Sequence, residues 1–299
     1  MQYIFIINPH AGKKDQSQQL QQKIYKTFQK NEAIIVKTEY EKHATKLAHD
    51  YALKFSELIF VVCGGDGTLK EVLEGVYKFP HVRLAIFPIG TGNDFIRYFK
   101  THTIADFLDL KKLKHGYEYK SDILTCGDQV CLNIASVGLD AMVVERVSYC
   151  KRIPLISGSL AYYLALFFCF LSSIAFKQTL IIDNKIKIPM TSYVFVVVAN
   201  GSYYGGGFHP TPMANMQDGV LNVLTISSLS RFNIIKLMNK YKTGEHLSYD
   251  FVKCYECETI QILGDDKVVL NMDGETTKLK NPILSIKKKA ITLILPAKE

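Results

Sequence analysis

The chain has 299 residues, of which 48% are hydrophobic and 21% are charged, a balance typical of a globular protein that buries substantial cores. The net charge of +8 favours an anionic partner such as a nucleotide or a lipid headgroup, although a solvated lysine-rich surface explains it equally well. The basic residues form no stripe with interleaved aromatic residues, which argues against a nucleic-acid-binding protein.

The cysteines and the N-terminus indicate a cytoplasmic protein. The seven cysteines are odd in number and lie in apolar segments, as Cys63 and Cys131 do. Buried free thiols of this kind are typical of a reducing compartment. The opening MQYIFIINPH has neither a charged region nor a small-residue cleavage site, so we expect no signal peptide.

One apolar segment, residues 155–176, is about as long as a membrane-spanning helix. It begins with Ser-Gly-Ser, contains the pair Ser172 and Ser173, and has predicted strands of one domain on both sides. A true span would place those strands on opposite sides of a membrane. We therefore expect a helix inside the protein.

The first part of the chain alternates strands with helices. Apolar runs at 3–7, 34–36, 58–63 and 84–87 predict strands, and helical spacing predicts helices over 20–28, over 44–55 and from about residue 69. Strands that alternate with helices and are apolar on both faces indicate a parallel sheet covered on both sides. Residues 1–126 are therefore predicted to form an α/β nucleotide-binding domain.

The second part of the chain, residues 127–286, reads as a β-sandwich or barrel with few helices. Its predicted strands are 130–135, 180–188, 194–199, 221–226, 252–262, 268–272 and 283–286. A helix is expected near 231–243. The final apolar run, 291–295, either closes this domain or returns to the first one, and local pattern leaves both alternatives open.

Four polar clusters follow strands or occupy turns, which is where parallel sheets place their ligands. They are residues 8–13 (NPHAGK), 64–68 (GGDGT), 88–94 (PIGTGND) and 272–275 (MDGE). Glycines let a backbone approach phosphate closely, and a helix N-terminus offers free N–H groups. A carboxylate in such a loop repels phosphate, so Asp66 is expected to face Mg²⁺. By itself GGDG is equally compatible with a tight turn, and neither a Walker A loop nor GxGxxG is present.

The ordered set of motifs resembles the diacylglycerol kinase catalytic family, in particular the bacterial soluble diacylglycerol kinases. The resemblance is carried by INPHAG, by GGDGT with Glu71 three residues later, by PIGTGNDF with Arg97, and by MDGE. It extends to Asp122 in KSDIL, to NIASVGLDA and to NGSYYGGGFHPTPMANMQDGVLNV, and so covers essentially the whole chain.

The resemblance implies an active site between an α/β domain and a C-terminal β-sandwich lipid-substrate domain, with residues 287–299 returning to the first domain. The ATP contacts that it implies are Asn8, Pro9, His10, Ala11, Gly12, Thr38, Gly64, Gly65, Asp66, Gly67, Thr68, Glu71, Thr91 and Asn93. Asp66, Asp94 and Asp122 would form an acidic network at the metal and the phosphates. Asp273 or Glu275 would be the general base on the lipid hydroxyl. A second, structural Mg²⁺ would be held by Asp218 and by carbonyls near Asn215 and Val220.

The expected activity is an ATP- and Mg²⁺-dependent lipid kinase that converts diacylglycerol to phosphatidic acid at the inner face of a membrane, as a peripheral protein. Two alternatives stay open: a kinase of another lipid alcohol, and a catalytically inactive lipid-binding regulatory protein. The inactive protein is disfavoured by the presence of all five candidate catalytic acids, Asp66, Asp94, Asp122, Asp273 and Glu275. A soluble NAD kinase would share GGDGT, but PIGTGNDF favours the lipid kinases. The oligomeric state is open, with a homodimer among the alternatives.

Overall fold

The computed structural model describes residues 1–150 and 174–298, together with residues 164, 168, 169 and 172. The chain divides into two compact units. The first comprises Met1–Ile123 and the C-terminal residues from Lys287, and the second is Leu124–Ile286.

The first unit is built on a parallel sheet, which confirms the predicted α/β fold class. Its strands lie in the order β2 (Ala33–Lys37), β1 (Gln2–Ile7), β3 (Leu58–Gly64), β4 (Val82–Pro88) and the second half of β15 (Ile283–Leu295). All four pairings between these neighbours are parallel. Every residue of β3 is buried, as expected for a strand that is covered on both faces.

Helices pack on this sheet through apolar residues at helical spacing. Tyr3, Phe5 and Ile7 of β1 share one core cluster with Leu20 and Ile24 of the first helix. The helices are α1 (Ser17–Thr27), α2 (His43–Lys54), α3 (Asp66–Val76), α4 (Ile104–Phe107) and α5 (Leu110–Lys114), with a 3₁₀ turn at Phe95–Tyr98.

The second unit is antiparallel and sandwich-like, as predicted. Its strands are β6 (Gln129–Cys131), β7 (Ile134–Gly138), β8 (Phe176–Ile182), β9 (Ile186–Ala199), β10 (Leu221–Ser227), β11 (Val252–Cys257), β12 (Thr259–Leu263), β13 (Val268–Met272) and β14 (Glu275–Leu279). They pair in the order β14-β13-β7-β9-β8-β12, while β10 joins β9 to β11. The end of β5 (Tyr117–Cys126) forms a hairpin with β6, and residues 283–285 pair with β12.

The second half of the central strand β9, residues 193–199, is buried on both of its faces. Val196 and Val198 belong to one core cluster, whereas Phe195 and Val197 belong to another, because successive side chains point to opposite faces. The second cluster is completed by α6 (Leu139–Cys150) and α7 (Arg231–Thr243). Helix α7 spans the range predicted for a helix, 231–243.

Three predicted strands are wrong in their bounds. The run 130–135 is broken between β6 and β7, and 252–262 is interrupted at Glu258. The run 180–188 is a hairpin, since β8 ends at Ile182 and Asp183 and Asn184 adopt the positive φ values of a tight turn. The error at 180–188 arose because Asp183 and Asn184 are polar turn residues inside an otherwise apolar run.

Other elements differ from the prediction in extent. The helix expected from about residue 69 begins at Asp66, and the two runs 283–286 and 291–295 form the single strand β15. Strands β5 and β14 and helix α6 were not predicted. The predicted helix at 155–176 falls largely outside the described residues. Within the part of the chain that the structure describes, no helix is long and apolar enough to cross a membrane.

Candidate functional site

Three of the predicted ligand loops meet at one edge of the first sheet. They follow β1, β3 and β4, which are parallel neighbours, so their carboxyl ends lie side by side. The Asn8 side-chain amide donates to Thr68 Oγ1 at 2.9 Å, and the Ile89 N–H donates to the Gly64 carbonyl at 3.0 Å. The structure therefore brings together the predicted contacts of residues 8–12, 64–68 and 88–94.

Close backbone approach holds these loops together. A Cβ atom added at Gly90 would lie 2.4 Å from the Gly65 Cα, and one added at Gly12, where φ is +79°, would lie 2.5 Å from the Ile89 carbonyl oxygen. Only glycine fits at these two positions. These two glycines thus allow the loops to pack backbone against backbone.

Helix α3 begins at this edge. Its N-cap, Gly65, provides no side-chain hydrogen bond to the first turn. The first N–H groups of a helix have no partner within the helix and carry the positive end of its dipole. A phosphate group is a suitable partner for them.

Asp66 and Asp94 face each other across the third loop. Asp66 accepts the backbone N–H of Asp94 at 3.0 Å and that of Phe95 at 3.1 Å. A Cβ atom at Gly92 would lie 3.2 Å from Asp66 Oδ2 and 3.9 Å from Asp94 Oδ2, so both carboxylates border the same glycine. Asp94 also forms an ion pair with Arg97, at 3.3 Å.

This arrangement fits a magnesium–nucleotide complex better than an all-protein metal site. Among the described residues, no group of three or more His, Cys, Asp or Glu side chains could hold a metal ion. Mg²⁺ is commonly bound through one or two carboxylates together with phosphate oxygens and water. Asp66 and Asp94 would be those carboxylates, and the bound ion would neutralise phosphate charge.

A small pocket beneath the loops is lined in part by Gly65, Asp66, Pro88, Asn93 and Phe95. The Asn93 amide donates to the Gly90 carbonyl at 2.8 Å. Asn93 Oδ1 is buried and accepts no hydrogen bond from the part of the protein that the structure describes. A buried acceptor without a donor is costly, so Asn93 carries an unsatisfied polar atom within this loop.

Three further residues that were predicted to contact the nucleotide, Thr38, Glu71 and Thr91, differ in their surroundings. Thr38 is buried just after β2, and its N–H donates to the Ile7 carbonyl. Glu71 accepts the Ala44 N–H at 3.2 Å, which ties α3 to the first turn of α2. Thr91 is exposed. A nucleotide contact for each of the three stays a prediction.

Asp122, the third member of the predicted acidic network, is fully buried in β5. Its Oδ1 accepts the backbone N–H of Lys289 at 2.6 Å, which fixes β5 against β15. The structure thus brings Asp66 and Asp94 together and gives Asp122 a bond to the C-terminal strand.

The predicted catalytic turn of the second unit is a two-residue hairpin between β13 and β14. Asp273 and Gly274 both have positive φ, at 48° and 94°, as a type I′ turn requires. Glu275 is the first residue of β14, pairs with Met272 across the hairpin, and is half-buried.

The Asp273 carboxylate binds backbone at the break between β6 and β7. It accepts the N–H groups of Leu132 at 2.9 Å, Asn133 at 3.2 Å and Ile134 at 2.9 Å. Three such bonds engage most of the acceptor capacity of a carboxylate. Asp273 and Glu275 therefore have different environments, a difference that the motif MDGE did not reveal.

A polar network that was not predicted lies behind the hairpin. The Gly274 N–H donates to Asn271 Oδ1 at 3.0 Å, and Asn271 Nδ2 donates to Ser136 Oγ at 3.2 Å. The Ser136 side chain in turn hydrogen-bonds with Asp140. Asn271 and Ser136 are both buried.

Asp140 extends this network to two tyrosines. The Tyr204 hydroxyl donates to Asp140 Oδ2 at 2.8 Å and lies 2.9 Å from the Tyr241 hydroxyl. Burial raises the pKa of Asp140, although the hydrogen bonds from Ser136 and Tyr204 act in the opposite direction. The sequence signals for this network were the stretch NIASVGLDA, which contains Ser136 and Asp140, and the stretch that begins NGSYYGGG, which contains Tyr204.

The loop that is predicted to hold a second Mg²⁺ is exposed. Asp218 Oδ1 accepts the Val220 N–H at 3.0 Å, and Asn215 Oδ1 accepts the Gln217 N–H at 3.1 Å. Hard oxygen atoms beside solvent suit a hydrated Mg²⁺, so the residues fit the ion. Binding there stays a prediction.

Family models match both parts of the chain. The diacylglycerol kinase catalytic domain matches residues 2–126, and the YegS C-terminal NAD kinase beta sandwich-like domain matches residues 133–295. Similar curated proteins include the putative lipid kinase YtlR of Bacillus subtilis, at 27% identity over 91% of this chain and 93% of the relative. A diacylglycerol kinase of Staphylococcus haemolyticus is 28% identical over 95% of this chain and 85% of its own length.

The fold is also similar to a solved structure. The crystal structure of a diacylglycerol kinase from Bacillus anthracis superposes with a TM-score of 0.76 at 24% identity, over 98% of this chain and 96% of that chain. At this identity the likeness supports the fold alone.

Proposed function

Because the chain belongs to the diacylglycerol kinase catalytic family, with a YegS-type C-terminal domain, we propose that it transfers the γ-phosphoryl group of ATP to a lipid hydroxyl. The observation that carries this proposal is the facing pair Asp66 and Asp94 beside the loop glycines. Phosphoryl transfer needs charge neutralisation and alignment more than covalent chemistry, and this edge of the sheet provides main-chain groups and two carboxylates for that purpose.

In this reaction the acceptor oxygen forms a bond to the γ-phosphorus, the bond between that phosphorus and the β–γ bridging oxygen breaks, and ADP leaves. The hydroxyl proton passes to a general base. Glu275 is the proposed base, because the Asp273 carboxylate already accepts three backbone N–H groups. Asp273 then acts as a positioning residue for the hairpin.

Diacylglycerol is the proposed acceptor and phosphatidic acid the product. This choice is supported by relatives named diacylglycerol kinase, such as those of Staphylococcus haemolyticus and Bacillus subtilis. Another lipid alcohol is the second candidate, because other relatives are named only as lipid kinases. The enzyme would meet either lipid as a peripheral protein at the inner face of a membrane.

The test is incubation of the purified protein with Mg²⁺, γ-labelled ATP and a panel of lipids: diacylglycerol, phosphatidylglycerol, a polyprenol and a sphingoid base. Label transferred to diacylglycerol, and lost when Mg²⁺ is chelated, is the expected result. Label on another lipid alone would show that this lipid, and not diacylglycerol, is the acceptor, and it would still support the kinase activity. A protein that binds ATP yet labels none of the lipids would contradict the proposal.

A further inference from the structure

Helix α7, Arg231–Thr243, exposes large apolar side chains on a basic face. Phe232 is 64% exposed and Ile235 is 60% exposed, one turn apart on the helix. The helix contains no Asp or Glu. Its basic residues are Arg231, Lys236, Lys240 and Lys242.

The opposite face of α7 anchors the helix in the core of the second unit. Ile234, Leu237 and Tyr241 are buried there. The helix is capped at its start by Ser230, whose hydroxyl accepts the Asn233 N–H, and it ends at Gly244 in the left-handed conformation. The apolar residues on the outer face are therefore presented by a well-anchored helix whose own packing does not need them.

The charges on the outer face differ in their availability. Lys240 pairs with Glu245 at 3.0 Å, and Arg231 donates to the Ser172 carbonyl at 3.1 Å. The Lys236 ammonium lies 4.3 Å from the centre of the Phe232 ring, a cation–π contact. Lys236 and Lys242 are both exposed, so they contribute most to the positive potential beside Phe232 and Ile235.

We propose that α7 docks this protein on the surface of an anionic phospholipid bilayer. An amphipathic helix with bulky apolar residues and lysines on one solvent-facing side lies in the plane of a membrane interface, with its apolar side chains at the boundary of headgroups and acyl chains. The lysines then lie next to lipid phosphates, to which a helix without acidic residues is complementary in charge. This surface deepens the proposed function, on which it rests, because it brings a lipid kinase to an acceptor that resides in a bilayer.

The test measures sedimentation of the protein with vesicles made of equal parts phosphatidylglycerol and phosphatidylcholine. The double variant Phe232→Ser/Ile235→Ser should lower the partition coefficient by about tenfold or more, and Lys236→Gln/Lys242→Gln should lower it at low salt only. The matched control is Leu53→Ser, since Leu53 is 66% exposed on α2 and adjoins a lysine, yet lies in the other unit. The control should change binding by less than about twofold, and circular dichroism should show all variants folded.

An assay of phosphoryl transfer to two acceptors distinguishes failure of this proposal from failure of the proposed function. The docking variants should lose activity on diacylglycerol in vesicles and keep wild-type activity on a water-soluble short-chain diacylglycerol. If the wild type phosphorylates neither acceptor, the kinase proposal fails, while vesicle sedimentation still tests the surface.

Unchanged vesicle binding by Phe232→Ser/Ile235→Ser would overturn the role of α7. Failure of the wild type to bind anionic vesicles would do the same, and would leave a protein partner as the occupant of this face. Equal binding of the wild type to pure phosphatidylcholine vesicles would overturn the part assigned to the lysines.

Discussion

The carboxylate of Asp273 accepts the backbone N–H of Ile134 at 2.9 Å, although 139 positions separate the two residues. Two further N–H groups, of Leu132 and Asn133, bind the same carboxylate. The tip of the β13–β14 hairpin is thereby fixed to the start of β7. Two acidic residues of one short motif consequently have different surroundings, and the bonds of Asp273 are structural.

Asp273→Asn should destabilise the protein by about 1–3 kcal/mol, because an amide keeps only one oxygen acceptor for three backbone donors. Asparagine tolerates the positive φ of this position, so the backbone turn itself is retained. Urea unfolding measures the loss. Stability within about 0.5 kcal/mol of the wild type would show that the carboxylate is not needed by the backbone.

Glu275→Gln should show the reverse pattern. Its unfolding free energy should stay within about 0.5 kcal/mol of the wild type, while kcat falls by about 10²–10⁴-fold, as expected when a general base is removed. The KM for ATP should change little, because the base acts on the acceptor hydroxyl. Near-normal turnover by the folded variant would remove Glu275 from this role.

Gly90→Ala should disrupt the nucleotide loops. The new methyl group would lie 2.4 Å from the Gly65 Cα, so the two loops must separate, with an expected loss of about 1–3 kcal/mol and of ATP binding. Gly67→Ala is the matched stability control, because a Cβ atom there meets nothing within 4 Å. Thermal unfolding distinguishes the two variants, and ATP titration of Gly90→Ala measures its loss of binding. Equal stability of both variants would contradict the close-packing argument.

Asp94→Asn should raise the Mg²⁺ concentration required for half-maximal activity by about tenfold or more, since it removes one of two facing carboxylates. The backbone N–H that Asp94 donates to Asp66 is retained in the variant. Glu57→Gln makes the same change of charge at an exposed site and should leave the Mg²⁺ titration unchanged. Identical titrations for Asp94→Asn and the wild type would place the metal elsewhere.

Asp140→Asn should alter how stability depends on pH. Because burial raises the Asp140 pKa in the folded state, the folded protein binds more protons than the unfolded chain between the ordinary and the raised pKa values. The wild type should therefore lose stability as pH rises through that window, by at most about 1.4 kcal/mol per pH unit from this group.

The asparagine variant lacks this titration. Its stability relative to the wild type should consequently increase from pH 4 towards pH 7, as measured by urea unfolding at each pH. Parallel curves for the two proteins would mean that the Asp140 pKa is not raised. Asn271→Ala serves as a companion variant, since it breaks the same network without removing a titratable group.

Local sequence pattern was sufficient for strands β1 to β4 of the first unit. Buried strands such as β3 and β4 are continuous apolar runs, and the glycine-rich turns after them are local signals, so the parallel sheet and its loop edge could both be predicted. The hairpin at Asp273 and Gly274 is equally local, because an Asp-Gly pair between two strands favours a type I′ turn.

Only the tertiary structure decided what several of these side chains bind. The break at Leu132 and Asn133 has no local cause, because it depends on a carboxylate about 140 positions later in the chain. The bond from Ala44 to Glu71 and the network from Asn271 to Tyr204 likewise join distant elements. Hydrogen bonds between distant segments leave no periodic pattern in sequence, since they depend on which strands the fold places side by side.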